Sequence, residues 1–171
     1  MARNIVLTGL MGSGKSTIAQ ILSERLGFKL VDTDELIEYR EKKSISHIFA
    51  DSGEAYFRKT EAEIVKEISK STNVIISTGG GVVENQENID NLKINGVLFY
   101  LYAPPEELYR RVKSQNHRPL LLNSDPEGTL TQLLNKREKF YTQAHYTINT
   151  SGKSTDEIAD EITEIYKKYE I

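Results

Sequence analysis

Gly9-Leu10-Met11-Gly12-Ser13-Gly14-Lys15-Ser16 sets a glycine, a four-residue spacer, a second glycine, then a lysine and a hydroxyl. This is the P-loop pattern, and each residue type has a physical task in it. Glycines let the backbone curl so that its N–H groups converge on phosphate oxygens. A helix starting at the lysine adds its positive N-terminal end. Lys15 would neutralise the β- and γ-phosphates, and the Ser16 hydroxyl would hold Mg²⁺. Gly12, Ser13, Gly14 and Thr17 belong to the same nucleotide cradle. Gly152-Lys153-Ser154-Thr155 repeats only the end of the pattern, since its first glycine would fall at Thr147. It reads as a strand-to-helix turn that could lie near the nucleotide base.

P-loop enzymes organise Mg²⁺ with an acid near the end of an apolar strand. Leu30-Val31-Asp32-Thr33-Asp34 supplies one, whereas Ser77-Thr78-Gly79 does not. Asp32 is therefore the metal-side candidate. Asp34 would face the same crevice and could take a proton from a substrate hydroxyl; alternatively it caps the next helix. Phosphoryl transfer also needs an acceptor held in line and charge neutralised around it. Arg58 and Glu61 lie one helical turn apart, Gly79-Gly80-Gly81 follows a strand, and Arg137 sits in a further helix. Arginines so placed could grip a carboxylate bidentately, and the glycines would allow close backbone approach. Singly, each has a plainer reading: a surface ion pair, a loop, a solvated cation. Arg118 falls in a stretch rich in Asn, Ser, Asp, Gly and Pro, Ser114–Gly128, which reads as a mobile loop whose arginine could close over the phosphates.

The elements that must position these groups alternate. Short apolar runs at Ile5–Leu7, Phe28–Val31, Val74–Ile76, Val97–Tyr102 and Tyr146–Ile148 read as strands. Between them lie helical patterns at about 15–26, 34–41, 45–50, 53–71, 85–93 and 106–113. Two more follow at about 130–141 and from the Ser154-Thr155-Asp156-Glu157 capping box onward. Strand–helix alternation implies right-handed βαβ units, hence an α/β protein with a parallel sheet. The 171 residues suit a single domain, with no repeat or linker. A net charge of −3 argues against non-specific nucleic-acid binding. Zero cysteines exclude disulfides and thiolate metal sites. The first apolar run is too short for a signal-peptide core, and none reaches membrane-spanning length, so the expected location is the cytoplasm.

Taken together, the motifs resemble the shikimate kinase family over essentially the whole chain, in order and with similar spacing. The resemblance is carried by Gly9–Thr17, Asp32-Thr33-Asp34, Ile45 with Ile48-Phe49, and Gly53-Glu54 with Phe57-Arg58 and Glu61. It continues in Gly79–Gly81, Arg118-Pro119-Leu120-Leu121, and Arg137 ahead of Tyr141. It implies ATP- and Mg²⁺-dependent phosphorylation of the shikimate 3-hydroxyl, on the route to chorismate and the aromatic amino acids. It also implies a monomeric P-loop NTPase fold of the nucleoside monophosphate kinase type. The implied sheet is five-stranded and parallel, in the order 2-3-1-4-5, with a substrate-binding region at 33–61 and a lid at 114–126. By the same resemblance, Asp34 binds substrate hydroxyls and serves as base. Arg58, Arg137 and Gly79–Gly81 hold shikimate, and Glu61 orients Arg58. Lys15 and Arg118 stabilise the transferring group, while Ser16 and Asp32 serve Mg²⁺. Arg111, or its neighbour Arg110, stacks on adenine, with Lys153 in the adenine loop. The rival readings are a P-loop kinase for gluconate or a nucleoside monophosphate, and a nucleotide-binding regulator without turnover.

Overall fold

The structure is a computed structural model and describes residues 3–113 and 124–169. Its strands are β1 (Asn4–Thr8), β2 (Lys29–Asp32), β3 (Val74–Ser77), β4 (Gly96–Tyr102) and β5 (Tyr146–Asn149). They form one five-stranded sheet in the order β2-β3-β1-β4-β5, and every neighbouring pair is parallel. Connecting them are α1 (Lys15–Leu26), α2 (Thr33–Glu41), α3 (Ile45–Ile68) and α4 (Gln86–Asn95). The chain continues through α5 (Pro105–Val112), α6 (Pro126–Tyr141) and α7 (Thr155–Tyr169), and a short 3-10 turn spans Val82–Glu84.

Parallel strands need crossovers, and the crossovers cover both faces of the sheet. β1 is accordingly buried at every position. Ile5 and Leu7 pack with Ile18, Leu22, Ile158 and Ile162 of α1 and α7. Val6 faces the other way, against Val65, Leu98, Tyr100 and Tyr141. This sorting of alternate side chains onto opposite faces is the period-2 geometry of a strand. The sheet order agrees with the one the family resemblance implies.

Two boundaries differ from the sequence reading. Asp32, not Asp34, caps α2, so that helix begins at Thr33. Residues 126–128, expected within the loop, are already helical. Asp125 caps α6 by accepting the Gly128 N–H at 3.0 Å, and Pro126 supplies a first-turn φ. The division expected at Gly53 is present: α3 is two helical stretches joined by a kink there, with φ 82° and ψ 173°. The capping box stands as expected: Ser154 Oγ accepts the Glu157 N–H and Glu157 accepts the Ser154 N–H. Arg118, and the lid segment over 114–123, lie outside the described residues.

Candidate active site

Strand register brings the chemistry to one edge. Ser77 of β3 pairs with Asp32 on one side and with Leu7 of β1 on the other. The strand ends that lead into Asp34, the triple glycine and the P-loop therefore stand side by side at the carboxyl end of the sheet. That is where open parallel sheets bind ligands. Thr33 tightens the arrangement: its buried hydroxyl accepts the Gly79 N–H at 2.9 Å.

The P-loop runs from β1 into α1 with positive φ at Gly9, Gly12 and Gly14. At Gly12 a side chain would also meet Val112 at 2.8 Å and the Leu108 carbonyl at 2.9 Å. Close packing against α5 and a left-handed backbone thus both demand glycine there. Lys15 Nζ donates to the Gly9 and Leu10 carbonyls at 2.7 and 3.1 Å. Ser16 and Thr17 are exposed in the first turn of α1. This is a curled loop of N–H groups at a helix N-terminus, with a lysine and two hydroxyls, and it suits a polyphosphate.

A cleft of about 550 Å³ joins this cradle to the acceptor side. Gly12, Gly14, Lys15, Ser16, Thr17 and Asp32 line one part of it, and Asp34, Arg58 and Arg137 line another, with Gly79, Gly80 and Gly81 between. The three glycines each face a different charged group. A side chain at Gly79 would come within 2.7 Å of Asp34 Oδ1, and one at Gly80 within 3.3 Å of Arg137 Nη1. At Gly81 it would come within 2.5 Å of Arg58 Nη2. The run is triple because three charged side chains converge on consecutive residues.

Each arginine is held by its own carboxylate. Arg58 Nη1 bonds Glu61 Oε2 at 2.8 Å, and the Glu61 side chain is only 2% exposed. Burial raises the Glu61 pKa, and Arg58 opposes that rise. Arg137 Nε bonds Glu84 Oε1 at 2.7 Å, which leaves the outer guanidinium nitrogens directed to the cleft side at Gly80. Glu84 Oε2 takes Lys136 Nζ at 2.7 Å. Asp34 is pushed up to about 6, mostly by burial and then by the neighbouring Asp32 charge, with Lys15 and Arg58 pulling it down. That places its titration close to neutrality, where a general base works best.

Arg111 lines the cleft and donates to the Gly12 carbonyl at 3.3 Å and to Thr150 Oγ1 at 3.0 Å. It straps the P-loop to the turn after β5. Its neighbour Arg110 is 69% exposed and pairs only loosely with Glu107. Lys153 is turned toward Glu161 of α7 at 2.6 Å and is not among the cleft's lining residues. Ser13 is buried beneath the loop. Glu84, Thr33 and the Tyr141 hydroxyl, which donates to the Gly80 carbonyl at 2.6 Å, received no role from the sequence. Their partners lie dozens of residues away, so no local pattern announces them.

The fold and this cleft define a P-loop kinase of the nucleoside monophosphate kinase type. The family model for shikimate kinase matches residues 11–167, and the chain belongs to that family. It is 45% identical to the shikimate kinase of Caldicellulosiruptor saccharolyticus over 164 residues, covering 96% of this chain and 95% of that one. Identity to the Caldanaerobacter subterraneus shikimate kinase is also 45%, covering 97% of both. Among solved structures, the Acinetobacter baumannii shikimate kinase in complex with shikimate superposes with a TM-score of 0.93 at 34% identity. That match covers 100% of this chain and 96% of the other. ATP binding follows from membership of the family, and the P-loop geometry suits it.

Proposed function

We propose that this chain transfers the γ-phosphoryl group of ATP to the 3-hydroxyl of shikimate, with the cleft residues in the following roles. Arg58 and Arg137 hold the acceptor's carboxylate, and the Gly79–Gly81 backbone lets the ring approach closely. Asp34 accepts a hydrogen bond from the acceptor hydroxyl. As the hydroxyl oxygen bonds to the γ-phosphorus, the bond to the bridging oxygen of the departing diphosphate breaks, and the hydroxyl proton passes to Asp34. Lys15 and the P-loop N–H groups stabilise the charge on the moving group. Arg111 keeps the nucleotide side of the loop in place.

Ser16 and the Asp32 carboxylate fit a hard cation that keeps most of its waters and takes few protein oxygens. Asp32 Oδ1 is already engaged by two backbone N–H groups, so its other oxygen is the one left to hold the ion. Bound there, Mg²⁺ would neutralise phosphate charge.

One observation carries the reading: Asp34, Arg58 and Arg137 share a single cleft with Lys15 and Ser16. A base, an acid clamp and a phosphate cradle in one crevice are what a kinase of small hydroxy acids needs. Every group named comes from one chain, so a monomer suffices. A coupled ATP-turnover assay with Mg²⁺ and shikimate, run beside gluconate and AMP, tests it. Turnover with shikimate alone is expected. Equal or faster turnover with either rival would overturn the acceptor assignment, and ATP binding without any product would reduce the protein to a regulator.

A further inference from the structure

Tyr141 closes α6 at 1% exposure and is not among the lining residues of the cleft. Its hydroxyl nevertheless reaches the acceptor side, donating to the Gly80 carbonyl at 2.6 Å. The ring stacks on Tyr100 with centroids 4.8 Å apart and an interplanar angle of 12°. That stack fixes where the hydroxyl points. Burial pushes the phenol up to about 12, so it remains a donor at any working pH.

The Gly80–Gly81 peptide is trans, since no cis bond occurs among the described residues. In a planar trans peptide the C=O and the next N–H point in opposite directions. Holding the Gly80 carbonyl toward Tyr141 therefore aims the Gly81 N–H away from α6. Gly81 lies in the cleft wall beside the Arg58 guanidinium. Among the described residues, neither the Gly80 nor the Gly81 N–H donates to a protein acceptor. Arg137, one turn before Tyr141 on the same helix, stands over Gly80. One helix end thus sets both an arginine and a backbone donor.

We propose that Tyr141 is a positioning residue for the acceptor's carboxylate: through the Gly80 carbonyl it orients the Gly81 N–H as a third donor beside Arg58 and Arg137. The inference rests on the acid-pocket reading above. Without the Tyr141 hydroxyl the peptide loses the one bond among the described residues that holds its carbonyl, although the Val82 N–H still closes the turn onto the Gly79 carbonyl at 3.2 Å; the carboxylate loses an aligned partner, while the phosphate cradle is untouched.

Steady-state kinetics on Tyr141→Phe, which keeps the ring and its stack, test the idea. The KM for shikimate should rise about tenfold, with kcat and the KM for ATP within about twofold of the unmodified protein. Tyr100→Phe is the control: its hydroxyl has no partner among the described residues, and its removal should leave both KM values alone. An unchanged shikimate KM in Tyr141→Phe, or a parallel rise in both KM values, would overturn the inference and leave the kinase assignment standing. A normal shikimate KM in Arg137→Ala would remove the acid pocket itself, and this inference with it. In the unmodified protein, the Gly81 amide proton resonance should move downfield as shikimate is added. A stationary resonance would count against the proposal even if Tyr141→Phe failed to fold.

Discussion

Asp32 caps the helix that begins with the residue between it and Asp34: its Oδ1 accepts the Asp34 N–H at 2.9 Å and the Glu35 N–H at 3.2 Å. The cap settles a choice the sequence left open, because it frees the Asp34 carboxylate for the cleft. It also sets two negative charges close together. Burial first, and Asp32 second, then hold Asp34 at about 6.

This has a pH signature. If Asp34 takes the proton, as proposed, kcat/KM for shikimate should fall about tenfold per pH unit below pH ~6. A profile flat down to pH 5 would remove Asp34 from the proton path. Stability runs the opposite way to activity: between the ordinary aspartate value and about 6, the folded chain holds a proton that the unfolded chain has released. Ionising Asp34 therefore weakens the fold as pH rises through that window, and the cost is complete above it. Asp34→Asn should abolish turnover yet gain roughly 2–3 kcal/mol at pH 7, with almost no gain at pH 4. Denaturant melts at the two pH values check this.

Arg58 and Glu61 separate binding from folding. Arg58→Ala strands a nearly buried carboxylate, so it should both raise the shikimate KM and lower the melting temperature. Adding Glu61→Gln removes the stranded charge. The double variant should recover most of the lost stability and none of the lost affinity. Recovery of both would mean that Arg58 acts on the substrate only through the fold.

The glycines divide by what they would strike. A methyl at Gly81 meets the movable end of Arg58, whereas one at Gly12 meets backbone at a positive φ. Gly81→Ala should therefore fold normally and bind ATP, with the shikimate KM raised at least about tenfold. Gly12→Ala should lose ATP binding and stability together. Thermal melts with and without nucleotide distinguish the two cases.

Glu84 is expected to matter through Arg137 alone. Glu84→Ala should weaken shikimate binding by about three- to tenfold, the size of one ordinary hydrogen bond, with the ATP KM unchanged. Lys136 shares the same carboxylate but is 64% exposed, and Lys136→Ala should be silent. A loss from Lys136→Ala equal to that from Glu84→Ala would point to the surface charge instead.

The legible parts of this site are those written locally. Phosphate-binding glycines, an acid pair two residues apart and an Arg–Glu pair one turn apart are fixed by spacing along the chain; strand–helix alternation makes the sheet parallel, while its strand order came from the family resemblance. The Glu84–Arg137 pair spans 53 positions, Thr33–Gly79 spans 46 and Tyr141–Gly80 spans 61. Such contacts exist only once the strands have paired. The start of α6 was hidden for a different reason: Asp125-Pro126 caps and opens a helix with the same residues that make a loop. The break at Gly53 was legible, because a glycine there reads as a boundary, and its backbone is non-helical.

That glycine has the last consequence. Nothing lies within 4 Å of where its side chain would be, so only the backbone angles at residue 53 keep it glycine. Ile45 and Phe49 reach the cleft from before the bend, and Phe57, Arg58 and Glu61 from after it. The apolar forearm and the charged grip hang from opposite sides of one elbow. On the proposed roles, substitutions at Ile45 or Phe49 should change which ring is admitted while leaving the Arg58–Glu61 pair in place.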